Sequence, residues 1–70
     1  MGMAAHLTPR EWAVLALVAD GLLNKEIAKR LVVAKRTVNN HLWRLYPKLG
    51  VRNRVEATAW FRAHQPAQTD

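Results

Sequence analysis

A narrow stripe of apolar side chains within residues 35–49 limits most strongly how this chain can fold. At 100° per residue, the four apolar residues of the stripe lie within about 60° of one another. They are Val38, Leu42, Leu45 and Leu49. Such spacing is typical of an amphipathic helix that packs through one side only. The sequence therefore predicts a helix over residues 35–49, with Gly50 just past its end.

Capping residues and glycines predict three further helices. Thr8 with Pro9 and Glu11 forms a capping-box pattern, and Gly21 ends the helix that follows. Asn24 is expected to cap a short second helix, and Asn53, with an acid three residues on, a fourth. No segment shows the alternation of a strand, so an all-α, four-helix helix-turn-helix domain is expected. The predicted helices lie near residues 8–20, 24–31, 35–49 and 53–64.

Chain length and composition narrow the function classes. Seventy residues make one small domain, expected over residues 7–64, with a flexible N-terminus at 1–6 and a flexible tail at 65–70. The absence of cysteine excludes disulfides and cysteine-ligated zinc, and three scattered histidines argue against another metal site. No apolar run reaches the roughly 18 residues of a membrane span. No cofactor is expected, and the residue patterns of catalytic sites are missing.

Positive charge is concentrated in the middle of the chain. Residues 24–54 hold nine Lys and Arg residues against the single acid Glu26, within a chain of net charge +6. The positive field of this middle segment attracts a polyanion. It therefore favours nucleic acid as the first candidate partner and an anionic membrane surface as the second. The basic residues are spread over three segments instead of one long amphipathic face, so the membrane interpretation is weaker.

The side of the predicted third helix opposite its apolar stripe carries amide, guanidinium and aromatic groups. They belong to Arg36, Asn39, Asn40, Trp43 and Arg44. Asparagine can pair with the major-groove edge of adenine, and arginine can bind guanine or phosphate. A solvated surface helix would explain the polar residues equally well, but a large aromatic on such a face usually has a partner.

Several segments together resemble a known family. The stretches LTPRE, GLLNKEIAKRL, TVNNHLWRLYPKLGV and RNRVEA are similar to the LuxR-type (GerE-like) helix-turn-helix DNA-binding domain, over about residues 7–64. The resemblance implies a four-helix fold in which the third helix reads DNA and the fourth commonly mediates dimerisation. It also implies an output domain of the kind found at the C-terminus of bacterial response regulators and related transcription factors.

The resemblance assigns roles position by position. Asn39, Asn40 and Trp43 match base-reading positions of the family. The residues expected at the DNA backbone, including Arg44 from the polar face of the helix, are Lys25, Arg36, Thr37, Arg44, Lys48 and Arg52.

Four positions depart from the family pattern. Val32 stands where the family often has glycine, and Ala34 where a Ser or Thr usually caps the third helix. Trp43 replaces a smaller or polar residue. Pro47 is unusual so close to the end of a helix and predicts a kink or a tightened last turn. The departures bear on which DNA sequence is read and on the rigidity of the third helix.

The predicted fourth helix has two apolar stripes. The bulkier one contains Trp60 and Phe61 and is expected to pack into the core. The smaller one is the candidate homodimer interface and consists of Val55, Ala59 and Ala63.

The residue patterns and the resemblance together favour sequence-specific binding of double-stranded DNA; the resemblance implies the output domain of a cytoplasmic bacterial transcription regulator, acting as a homodimer on DNA. The alternative is a protein-interaction module that docks on RNA polymerase or on another regulator through Trp43. An enzyme is not expected, nor is a small-molecule ligand in this segment or a membrane association. Salt dependence separates the two leading interpretations, because binding to phosphates weakens steeply as salt rises.

Overall fold

The computed structural model describes residues 7–64, which form four helices. Their bounds are α1 Pro9–Ala19, α2 Asn24–Leu31, α3 Lys35–Leu49 and α4 Arg54–Ala63. The predicted all-α fold is confirmed, and α2 and α3 begin and end where the sequence placed them. The other two helices are one residue shorter at each end, because Thr8, Asp20, Asn53 and His64 are caps. The segments expected to be flexible, 1–6 and 65–70, lie outside the described residues.

One hydrophobic core joins the four helices. The whole apolar stripe of α3 is buried, as its spacing predicts. The stripe meets buried residues from the other three helices, which are Val14, Leu15, Val18, Ile27, Ala28 and Ala57. Burying a large aliphatic side chain contributes about 1.5–3 kcal/mol, so this small set supplies much of the driving force for folding.

Aromatic side chains join α1 to α4. The Trp12 ring lies 5.9 Å from the Trp60 ring and 6.0 Å from the Phe61 ring, in tilted arrangements that aromatic pairs prefer. His64 stacks on the Trp60 ring with 3.9 Å between ring centroids and is itself exposed. The bulky stripe of α4 therefore packs inward, as predicted.

The cap at the start of α2 differs from the prediction, although the bounds of the helix agree with it. Its N-cap is Leu23, and Asn24 is the first helical residue. The Leu23 N–H donates to Glu26 Oε1 at 2.7 Å, so the glutamate satisfies the start of the helix. The prediction that Asn24 caps α2 is wrong, because its amide is engaged by residues of other helices.

The start of α4 differs from its prediction in one detail. The Asn53 side chain accepts the Glu56 N–H at 2.9 Å, which confirms the cap. However, Glu56 Oε1 accepts the N–H of Arg52 at 2.8 Å and not that of Asn53, so the expected reciprocal capping box is incomplete.

The turn between α2 and α3 departs from local preference twice. Val32 adopts left-handed backbone angles, with φ 59° and ψ 51°, and is the only non-glycine residue with positive φ in the described chain. This conformation costs a residue with a Cβ roughly 1–2 kcal/mol. Ala34 is the N-cap of α3 and offers no side-chain cap bond. The valine in place of glycine therefore takes a left-handed conformation, and the alanine in place of Ser or Thr leaves the start of α3 without a side-chain cap.

Pro47 lies inside α3, which continues to Leu49. The helix closes with a tightened turn, in which the Gly50 N–H donates to the Pro47 carbonyl at 3.1 Å and the Val51 N–H to the Tyr46 carbonyl at 3.0 Å. Gly50 follows with a φ of 74°, which glycine adopts without strain. The tightened last turn, one of the two expected outcomes, is observed.

Candidate nucleic-acid interface

The outward side of α3 presents the groups that the sequence placed there. Five side chains opposite the buried stripe are exposed: Arg36, Asn39, Asn40, Trp43 and Arg44. Thr37 also lies on this helix but is half-buried. Because α3 is fixed to the core along its other side, these five side chains project from a firmly held element.

Trp43 differs from the other two tryptophans of the chain. It is 78% exposed. The aromatic contacts within residues 7–64 involve Trp12, Trp60, Phe61 and His64, and none involves Trp43. Leaving an indole in water forgoes the large gain of burying it, so this ring is suited to contact another molecule.

Exposed cations lie on α3 itself, on α2 before it and in the turn after it. Lys25, Arg36, Arg44 and Arg52 are exposed and able to approach a phosphate backbone. Arg52 Nε lies 3.9 Å from Glu56 Oε2, in an open contact that contributes little to stability and leaves the guanidinium accessible.

Lys48, predicted to contact phosphate, is engaged within the domain. Its Nζ lies 2.8 Å from Glu11 Oε1, and the same carboxylate oxygen accepts the Thr8 N–H at 2.9 Å. The hydrogen bond from Lys48 lowers the pKa of Glu11, opposed by partial burial and assisted by the bond at Thr8. The sequence predicted a capping role for Glu11, which is confirmed. Lys48 ties the end of α3 to the start of α1.

Asn39 is connected to α2 and α4 by a chain of hydrogen bonds. Its Oδ1 accepts from Asn24 Nδ2 at 2.7 Å, and Asn24 Oδ1 accepts from Arg54 Nη1 at 3.0 Å. Arg54 Nη2 also donates to the Leu22 carbonyl at 2.9 Å. Asn24 and Arg54 are half-buried, whereas Asn39 is exposed. The three side chains, with Trp43, border a shallow hollow of about 230 Å³ at the edge of the polar face.

Sequence reasoning missed Asn24 and Arg54 as members of this site. The sequence pattern predicts Asn24 as a cap and marks Arg54 as one of the basic residues in the middle of the chain. A polar residue in the first turn of one helix and an arginine in the first turn of another carry no local signal that they meet, because 30 residues of chain separate them.

The small stripe of α4 is open to solvent. Val55, Ala59 and Ala63 are exposed, and Val55 is 76% exposed despite its apolar side chain. Within the described residues, no group of three or more His, Asp or Glu side chains is arranged to hold a metal ion. None of the four helices is long and apolar enough to cross a membrane.

Comparison with known proteins agrees with this geometry. The model of the family described as "Bacterial regulatory proteins, luxR family" matches residues 5–61. The chain belongs to the luxR family. The family comprises DNA-binding transcription regulators.

Curated relatives carry this domain as a small part of longer proteins. The nitrate/nitrite response regulator protein NarL of Escherichia coli is 46% identical over 55 residues, which are 79% of this chain and 26% of NarL. The HTH-type transcriptional regulator MalT of Vibrio campbellii is 49% identical over 51 residues, 73% of this chain and 6% of MalT. The chain also spans only 6% of mycobacterial relatives that are 56% identical over 50 residues.

A solved structure has the same fold. The response regulator ChrA of a heme-sensing two-component system superposes with a TM-score of 0.82 at 34% identity, over 91% of this chain and 32% of ChrA. The domain described here is therefore similar to a minor portion of each of these proteins.

Proposed function

We propose that residues 7–64 bind double-stranded DNA sequence-specifically, with α3 in the major groove, as the output domain of a bacterial transcription regulator acting in the cytoplasm. One observation carries the proposal: the exposed side of α3 presents amide, guanidinium and indole groups opposite a fully buried stripe. An α-helix fits the major groove, where base edges can be distinguished by their donors and acceptors.

Base reading falls to Asn39, Asn40 and Trp43. The two amides can bond base edges, and the indole offers an apolar surface to thymine methyl groups or sugars. Affinity comes from the cations around them, because contacts to phosphate position a protein without reading sequence. The proposed backbone contacts are Lys25, Arg36, Thr37, Arg44, Lys48 and Arg52.

Lys48 already contacts Glu11, so it must share its charge between that carboxylate and a phosphate. We therefore expect Lys25→Ala to weaken binding more than Lys48→Ala does. Both substitutions should weaken preferred and random duplexes by about the same factor, which is the signature of a phosphate contact.

Selection of bound sequences from a random duplex pool, followed by affinity measurements at several salt concentrations, tests the proposal. With about five phosphate contacts, log K against log salt should fall with a slope of about −4 to −5. Asn40→Ala should cost about 1–3 kcal/mol on the selected site and little on random DNA. An absence of enrichment, together with a flat salt response, would refute DNA binding.

We further propose that two copies pair on DNA through Val55, Ala59 and Ala63 of α4. The observation behind this is the apolar stripe left open to solvent. Half-sites should then be spaced by about one helical turn, or roughly 34 Å. Ala59→Glu should abolish cooperative binding to paired half-sites, while a single half-site is still bound and the melting temperature stays unchanged. Unaltered cooperativity would place the dimer interface elsewhere.

The exposure of Trp43 supports a second candidate function, docking on RNA polymerase or another regulator. Trp43→Ala separates the two. If the indole lies against DNA, the substitution should lower DNA affinity and change base preference. If it anchors a protein partner, DNA binding should survive and the protein complex should weaken, with little dependence on salt.

A further inference from the structure

The hydrogen-bond chain that ends at Asn39 has a direction fixed by chemistry. A guanidinium group has only donors, so the Asn24 atom facing Arg54 must be the amide oxygen. The amino group of Asn24 then faces Asn39, and the atom that receives it must be the oxygen of Asn39. The Leu22 carbonyl, which can only accept, holds the other end of Arg54.

This direction determines which end of Asn39 is left for another molecule. Since its oxygen is turned toward Asn24, its amino group is the free end of the amide. Asn40, one residue on, is exposed and takes part in no side-chain hydrogen bond within residues 7–64, so both ends of its amide remain available. Asn39 therefore offers a base its hydrogen-bond donors, whereas Asn40 can both donate and accept.

We propose that Arg54 and Asn24 are positioning residues that hold Asn39 as a hydrogen-bond donor toward DNA. Asn39 then selects a base edge rich in acceptors, which favours guanine through N7 and O6, or thymine through O4. It disfavours the paired donor and acceptor contact with adenine that the sequence alone suggested for asparagine. This inference rests on the proposed DNA binding by α3 and adds a base preference to it.

Asn24→Asp tests the direction of the chain. The carboxylate still accepts from Arg54, but it has no donor for Asn39. Asn39 should turn its amino group toward Asp and its oxygen outward, so that it accepts from the N4 group of cytosine or the N6 group of adenine. In a selection from random duplexes, the preference at one base pair should change accordingly. The affinity ratio between the old and new base should shift by roughly tenfold.

Asn53→Asp is the matched control. It introduces the same charge near the start of α4 and preserves the N-cap, because aspartate caps a helix as well as asparagine does. We expect it to lower affinity for all sequences through charge alone and to leave base preference unchanged. Asn24→Ala removes the contact without adding charge, and should relax the preference at the same base pair without reversing it.

Side-chain amide NMR of the free 70-residue chain gives a second readout that needs no DNA. In the unsubstituted chain, the Asn24 amino group should be protected from exchange with water and the Asn39 amino group should exchange rapidly. In Asn24→Asp, the Asn39 amino group should become protected.

The outcomes separate this inference from the proposed function. If the unsubstituted chain selects a sequence and Asn24→Asp selects the same base at every position, the inference is overturned and the DNA-binding proposal stands. If the unsubstituted chain selects nothing, the proposed function fails and the inference fails with it. A protected Asn39 amino group in the unsubstituted chain would overturn the hydrogen-bond direction itself.

Discussion

The α1–α4 side of the domain and the α2–α3 turn satisfy local structural preferences to very different degrees. On the first side, the helices are capped by Thr8 and Asn53, whose side chains accept N–H groups of the first turns. Trp12, Trp60 and Phe61 then join the two helices through their rings. Local sequence and tertiary packing agree there.

In the α2–α3 turn they disagree. Val32 holds a backbone conformation suited to glycine, and Ala34 begins α3 without a side-chain cap. The turn forms because Ile27 and Val38, one in each flanking helix, are fully buried. Packing thus imposes this turn against local preference, which places the least favourable backbone next to the helix proposed to read DNA.

The largest expected change in stability comes from disrupting the aromatic contacts between α1 and α4. Trp12→Ala removes the ring shared by Trp60 and Phe61 and should lower the free energy of unfolding by about 3 kcal/mol. Trp43→Ala, the same change at an exposed position, should stay within about 0.5 kcal/mol. Urea denaturation of both variants measures the difference. Equal losses would show that Trp43 is packed against the domain.

A smaller change should repair the start of α3. Ala34→Ser supplies the missing cap and should raise the free energy of unfolding by about 1 kcal/mol. Asn53→Ala removes the cap of α4 and should lower the free energy of unfolding by a similar amount. The two substitutions thus add a cap to α3 and remove one from α4. A thermal midpoint unmoved by Ala34→Ser would contradict Ala34 as the N-cap.

Relieving the backbone strain at Val32 should raise the free energy of unfolding by less than Ala34→Ser does. Val32→Gly removes the penalty of positive φ but adds freedom to the unfolded chain, for a net gain of about 0.5–1 kcal/mol. Gly50→Val places valine in the corresponding position after α3. It should destabilise by about 1 kcal/mol, because φ is 74° while the added Cβ would meet no atom within 4 Å. Chemical denaturation tests both, and a loss of stability in Val32→Gly would be inconsistent with strain at this residue.

The smallest expected effect concerns the contact between Lys48 and Glu11. The folded chain holds the Glu11 pKa below its usual value of 4.5, mainly through the hydrogen bond from Lys48. A lowered pKa stabilises the fold above the unfolded value, and this contribution disappears as pH falls through the folded value. Lys48→Met should therefore cost less than about 1 kcal/mol at neutral pH, since the pair is partly solvated.

The same substitution should cost nothing once Glu11 is protonated in both states. Unfolding titrations between neutral pH and pH 3 measure this difference, with Arg44→Met as a control for the lost charge. A cost of Lys48→Met that is independent of pH would argue against the ion pair as its cause.

Sequence periodicity and caps predicted what depends on neighbours along the chain. The α3 stripe, the capping box at Thr8 and the inward face of α4 follow from spacings of three to four residues. The contacts of Asn24 and Lys48 could not be predicted in this way, because their partners Arg54 and Glu11 lie at least 30 residues away. For Asn24, the sequence pattern indicated a helix cap and gave no sign of the contacts with Asn39 and Arg54.

The contact between Trp12 and Trp60 also brings the two ends of the described chain together. The aromatic cluster can form only after about fifty residues of chain have closed into a loop. Because closing this loop costs conformational entropy, it should slow folding. Conversely, α1 and α4 could be made consecutive by a short linker, with new termini opened in the exposed turn near Gly21. Such a circular permutant would make the longest-range contact local, so we expect it to nucleate from the aromatic cluster and fold faster.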